Sequence, residues 1–138
     1  LNLAKELNLP VIIHCRMAHD DVIKILENYN GIIGGIHCFT GNWEQAQKYM
    51  DMGFYIGING IIFKLNLDEV IKKVSLEKIL IETDCPYLTP PQEADKRNEP
   101  IFVKYVIKKI AELKGVTAEE VAEQTFKNAQ KLFTRLKF

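Results

Sequence analysis

Three short apolar runs end in side chains that can ligate a metal. Val11-Ile12-Ile13 runs into His14, Gly34-Gly35-Ile36 into His37, and Ile79-Leu80-Ile81, through Glu82 and Thr83, into Asp84. An apolar run of that length, without polar alternation, is how a strand of a parallel sheet reads when both of its faces are covered. In α/β enzymes the groups at the carboxyl ends of such strands carry the chemistry. Two His and one Asp fall in that position on three separate strands, so the chain reads as catalytic machinery.

The remaining sequence fills in units around these runs. Ala18 to Asn28 carries Val22, Ile23, Ile25 and Leu26 at amphipathic helical spacing, and Gly31 ends it. Asn42 with Gln45 has capping-box spacing and opens a helix that Gly53 closes. Phe54 to Ile58 predicts a third strand. Asn66 with Glu69 repeats the capping spacing and predicts a short helix through Val74. The fourth strand spans Ile79 to Thr83, and a proline-flanked loop from Pro86 to Pro100 leads to a helix over Ile101 to Lys114. Gly115 ends that helix, Thr117 with Glu120 caps another, and the last helix is expected to run to about Leu136.

Strands alternating with helices predict parallel strands joined by right-handed crossovers. Two architectures compete: an open doubly wound sheet, and part of a (β/α)8 barrel. No G-x-G-x-x-G follows any strand, which leaves a dinucleotide fold unsupported. Candidate ligands at the tips of three strands favour the TIM-barrel-like architecture, whose catalytic groups converge from several strand ends. A full barrel takes about 250 residues, so the 138 residues here are expected to form a single domain equivalent to its second half, four parallel strands with their helices. The chain also opens on Leu1-Asn2-Leu3-Ala4-Lys5-Glu6-Leu7, periodic at helical spacing with neither initiator Met nor cap, and this suggests a fragment.

Composition narrows the function classes. The hydrophobic content of 47% and the formal net charge of +0 suit a soluble domain and argue against a broadly basic nucleic-acid surface. No apolar stretch is long enough to span a bilayer, so no membrane partner is expected. Cys15, Cys38 and Cys85 are odd in number and lack C-x-x-C spacing, which points to a reducing, cytoplasmic setting rather than a disulfide framework. Each follows one candidate ligand directly. Strand alternation would turn these thiols toward the helix layer if His14, His37 and Asp84 face the site.

Imidazole and carboxylate are common ligands where a hydrolase holds a divalent metal with a position open to water. His14 and Arg16 lie two apart, so a strand continued to Arg16 pairs a ligand with a planar cation suited to phosphate. Glu82 and Asp84 stand in the same relation. An Asp beside metal ions can also accept the proton of an attacking water. Lys96-Arg97-Asn98 lies in the long loop and is a candidate for substrate contact. His19 reads as a surface residue at a helix start, and Phe39 and Trp43 as packing residues that could alternatively stack on a base.

At these residues the chain resembles the TatD family of metal-dependent deoxyribonucleases. The stretches that carry the likeness are Leu9 to Arg16, Gly35 to Gly41, Gly53 to Gly60, Leu80 to Leu88 and Arg97 to Pro100, in family order along the whole chain. The resemblance implies a metal-dependent hydrolase with two divalent ions (Mg, Mn or Zn). His14 and His37 would serve one ion and Asp84 the other. The rest of the ligands, an H-x-H pair and a bridging carboxylate, would come from the first half of the barrel. It further implies hydrolysis of phosphodiester bonds, releasing nucleotides from the 3′ end of DNA. In that scheme Asp84 is the catalytic proton acceptor, and Arg16, Arg97 and Asn98 contact substrate. The fragment alone is then expected to be inactive or nearly so, with partial metal occupancy or none. An open half-barrel face also invites self-association. Two other readings stay open. One is a barrel hydrolase acting on an amide, lactone or aminoacyl ester, and the other a non-enzymatic half-barrel interaction module.

Overall fold

Four strands pair in parallel in the order of the chain, β1 (Val11–His14), β2 (Gly34–His37), β3 (Tyr55–Ile58) and β4 (Ile79–Ile81). The structure, a computed structural model, describes residues 1–135. Each strand is followed by helix: α2 (His19–Leu26), α3 (Trp43–Asp51), α4 (Asp68–Lys73), then α5 (Val103–Lys114) and α6 (Ala118–Leu132), with α1 (Asn2–Glu6) ahead of β1. With right-handed crossovers, an unbroken sequential strand order puts every helix on one face of the sheet. A doubly wound sheet would reverse its order at a switch point. This one does not, so the architecture is that of a barrel half.

The register shows which side chains face which layer. Ile12 pairs with Gly35 and His14 with His37, while Val11 and Ile13 alternate to the helix side. On β2 and β3, Ile36, Ile56 and Ile58 turn into the core beneath Tyr49, Phe54, Val106 and Ile110. Full burial of each such side chain contributes roughly 1.5–3 kcal/mol. The opposite face is open, and Ile12 on it is 54% exposed. The sheet curls toward that face. A β-carbon on Gly35 would stand 3.1 Å from Leu80 Cδ1 and 3.3 Å from Ile12 Cδ1, so side chains from both edge strands reach over the same glycine.

Local signals set the element ends. Asn42 and Gln45 close the expected capping box at 2.9 and 3.1 Å, and Thr117 and Glu120 form the second. Gly115, at φ 67°, stops α5 in the left-handed region. The expected box at Asn66 and Glu69 does not form. Asn66 instead accepts the amide of Asp68 at 3.2 Å, and α4 begins at Asp68. The last helix ends at Leu132, and the expected end at Leu136 lies outside the described residues. Buried Asn128 ties α6 to the start of β4, donating to the carbonyls of Leu76 at 2.8 Å and Ile79 at 2.7 Å. Among the described residues no helix is long and apolar enough to cross a membrane.

Two packing outcomes bear on the sequence reading, one agreeing with it and one correcting it. Phe39 and Trp43 both pack against the core rather than standing free, with Lys73 lying over the Trp43 ring. His19 is not a surface residue. It is buried against Phe39, with ring centroids 5.0 Å apart, and its Nδ1 lies 3.2 Å from the Tyr49 hydroxyl. Its place on the first turn of α2 gave a polar signal, but that turn faces α3.

Burial lowers the His19 pKa from its ordinary 6.5, the nearby Asp20 charge opposing this weakly. The unfolded chain therefore binds the proton more readily. His19 costs no stability above the unfolded value and lowers stability as the pH falls through the folded one. Urea unfolding between about pH 5 and pH 7 should show a steeper loss of stability on acidification for the wild type than for His19→Gln. Parallel profiles would rule this out.

Candidate metal centre

His14 and His37 stand side by side because their strands pair in register at that residue. Their rings lie 5.6 Å apart between centroids, tilted by 39°. Asp84 reaches the same rim by a different route. The ladder of β4 stops at Ile81, short of the expected Thr83, with one further bond from the Glu82 amide to the Ile58 carbonyl at 3.0 Å. The chain then turns through Asp84 at φ 58°, a left-handed conformation uncommon for a residue with a β-carbon. That turn brings Asp84 Oδ1 to 3.5 Å from His37 Nε2. The separation exceeds an ordinary hydrogen bond, so both atoms keep a lone pair available to a cation.

The side chain that organises this rim is Glu82, which the sequence places on the face of Asp84 without assigning it a task. Its Oε2 lies 2.7 Å from His37 Nδ1, and its Oε1 accepts the Cys38 amide at 2.7 Å and the Asn59 side-chain amide at 3.3 Å. A carboxylate on Nδ1 assigns the imidazole proton to that nitrogen and leaves Nε2 free as a ligand. Glu82 directly follows β4 and His37 ends β2, so the carboxylate must cross β3. Gly57 makes the crossing possible, since a β-carbon there would stand 3.3 Å from Glu82 Oε1 and 2.8 Å from the Ile36 carbonyl oxygen. Asn59, fully buried just past β3, is fixed in turn by the amide of Ile61 at 3.0 Å and by the Cys38 thiol at 3.6 Å. The signal that could have found Glu82 is its spacing of two from Asp84. Asn59 gave none beyond following a strand.

Beside these groups opens a cleft of about 770 Å3, lined by His14, Arg16, Thr40, Lys64, Asp84 and Tyr87 among others. Arg16 thus shares the cleft with His14 as expected, although β1 ends at His14 and a turn carries it there. Arg97 and Asn98 do not line it. Arg97 is exposed on the long loop. Asn98 is 4% exposed, and its amide is used internally, donating to the Thr83 carbonyl at 2.8 Å and to the Tyr87 carbonyl. The structure therefore places it under the loop rather than on the cleft wall, where it ties the backbone on both sides of Asp84.

The thiols divide. Cys15 is buried as expected although it borders the cleft, Cys38 is only half-buried on the same cleft, and Cys85 is exposed. The alternation that would have hidden them stops with the strands, since Cys38, at φ 47°, and Asp84 both turn left-handed. Burial pushes the Cys38 thiol pKa up. Neighbouring His and Asp donors with open lone pairs fit a divalent cation. Among the described residues, however, no group of three or more His, Cys, Asp or Glu side chains closes into a metal site by itself.

A profile of the family described as TatD related DNase matches residues 1–134. The chain belongs to this family. It is 50% identical, over 95% of its length, to the uncharacterized metal-dependent hydrolase YabD of Bacillus subtilis, of which it covers 53%. It is 38% identical to the 3′-5′ ssDNA/RNA exonuclease TatD of Citrobacter rodentium, covering 54% of that protein. The crystal structure of YjjV, a TatD homologue from Escherichia coli K12, superposes with a TM-score of 0.88 at 30% identity, over 96% of this chain and 53% of that one. The chain therefore spans about half the length of the relatives it matches, and its four strands are those of half a TatD barrel.

The clamp at Asn98 has a measurable consequence. Asn98→Ala removes two hydrogen bonds to buried or half-buried carbonyls, and should lower the unfolding free energy by about 2–4 kcal/mol. It should also speed hydrogen exchange at the Tyr87 amide, which closes onto the Asp84 carbonyl at 2.9 Å. An unchanged melting curve with unchanged exchange at Tyr87 would refute the clamp.

Proposed function

We propose that a full-length barrel containing this chain is a divalent-metal-dependent phosphodiesterase acting on DNA, removing nucleotides from the 3′ end. His14, His37 and Asp84 would hold the cations, together with donors from the rest of the barrel. The observation that carries this reading is the fixed orientation of His37, whose Nδ1 is taken by Glu82 at 2.7 Å while its Nε2 looks toward Asp84. Outer carboxylates of this kind orient ligand imidazoles in metal hydrolases. The exonuclease name of the Citrobacter rodentium relative supports the choice of nucleic acid.

Divalent cations at such a site supply Lewis acidity and a water of lowered pKa. The chain's own groups then divide the work. Asp84, on the rim of the cleft, takes the proton of the attacking water. Arg16 and Lys64 present positive charge to the phosphate oxygens as negative charge builds there. The open face around Ile12 and Leu80 is covered by the remaining strands of the barrel, or on the isolated chain by a second copy.

The test compares turnover of 3′-labelled single-stranded DNA with that of a lactone and an aminoacyl ester, in magnesium or manganese. DNA should be the preferred substrate, with His37→Ala lowering kcat at least about 100-fold. The 138-residue chain by itself should show little or no turnover. Preference for the lactone or ester would move the protein to carbonyl chemistry. Glu82→Gln should keep the fold while weakening manganese affinity about 10- to 100-fold, read by calorimetry. Unaltered affinity would remove Glu82 from the site.

A further inference from the structure

Tyr87 is 72% exposed although it lies three residues from Asp84, on the wall of the cleft. Its backbone is tied in place on both sides of the ring. The Tyr87 amide donates to the Asp84 carbonyl at 2.9 Å, and its carbonyl accepts from the Asn98 amide, which also holds the Thr83 carbonyl at 2.8 Å. One buried side chain thus ties the backbone that carries Asp84 and Tyr87. Around the same cleft, Met17 is 96% and Leu65 44% exposed, and Arg16 and Lys64 supply positive charge. Cations flanked by exposed flat and apolar groups match the two parts of a single-stranded nucleotide, a phosphate and an unpaired base.

We propose that Tyr87 is the specificity-determining residue that stacks an unpaired base next to the scissile phosphate, held at a set distance from Asp84 by the Asn98 clamp. The proposal rests on the phosphodiesterase reading and adds to it a source of preference for unpaired strands. In a duplex a base is held by its partner's edge and its inner neighbour and cannot turn onto a side chain at this rim, whereas an unpaired base can. Stacking tolerates any base, because every base offers a π face. It does not need the phenolic hydroxyl.

The experiment measures binding of the full-length protein to a fluorescent phosphorothioate oligothymidylate and to an abasic strand of equal length, by anisotropy. Tyr87→Ala should weaken binding of the base-bearing strand about 5- to 100-fold and leave the abasic strand unaffected. Tyr87→Phe should stay within about twofold of wild type on both. An alanine variant that melts with the wild type separates lost stacking from lost fold. Should Tyr87→Ala keep the wild-type preference for the base-bearing strand while the protein still hydrolyses DNA, stacking at Tyr87 is overturned and the phosphodiesterase reading survives. Should the wild type neither bind nor hydrolyse either strand, both fall together.

Discussion

A single carboxylate joins three strands at the rim where the candidate site lies. Glu82 leaves β4, passes over Gly57 on β3, and meets His37 and the Cys38 amide on β2, with Asn59 completing its contacts. A partly buried carboxylate that lost these donors would bear a desolvation cost without compensation, so the network holds only as a whole. The orientation of His37 depends on it, and so does the left-handed turn at Cys38 whose amide it receives. The geometry of the rim follows from this crossing more than from the strand tips taken one by one.

The second organising element is the loop after β4, where Asn98 grips the backbone on either side of Asp84. Such a long connection would ordinarily be the least fixed part of a barrel rim. Here a buried amide ties down the backbone that carries a carboxylate and an aromatic ring. Both devices use backbone groups and outer side chains to place the residues that face the cleft, the arrangement that a site with exact distance demands needs.

The rim also shows why a half-barrel is an incomplete chemical object. His14, His37 and Asp84 converge, yet they do not form a closed ligand group among the described residues. Their open lone pairs face the same side as the uncovered sheet face around Ile12. On the proposed function, further strands of a whole barrel cover that side and bring the remaining donors. The open ligand group and the exposed apolar face thus lie on the same side of the sheet.

Much of this was legible in the residues alone. Apolar runs ending in His14, His37 and Asp84 specified parallel strands and a shared rim, because strand period and strand direction leave little choice of where an end residue goes. The caps at Asn42 and Thr117 were readable for the same reason, being interactions between residues three apart. What the sequence could not show were the contacts made across tens of positions: Glu82 reaching His37, Asn98 clamping the Asp84 loop, and His19 sinking against Tyr49. Arg97 and Asn98 looked alike as polar loop residues, and only the folded loop separated an exposed guanidinium from a buried amide. Cys38 and Cys85 were misplaced because alternation ends where the backbone turns left-handed at Cys38 and Asp84, whereas Cys15, directly after β1, is buried as read. Local periodicity fixes which residues share a face, whereas hydrogen bonds between distant strands decide which of them are held in place.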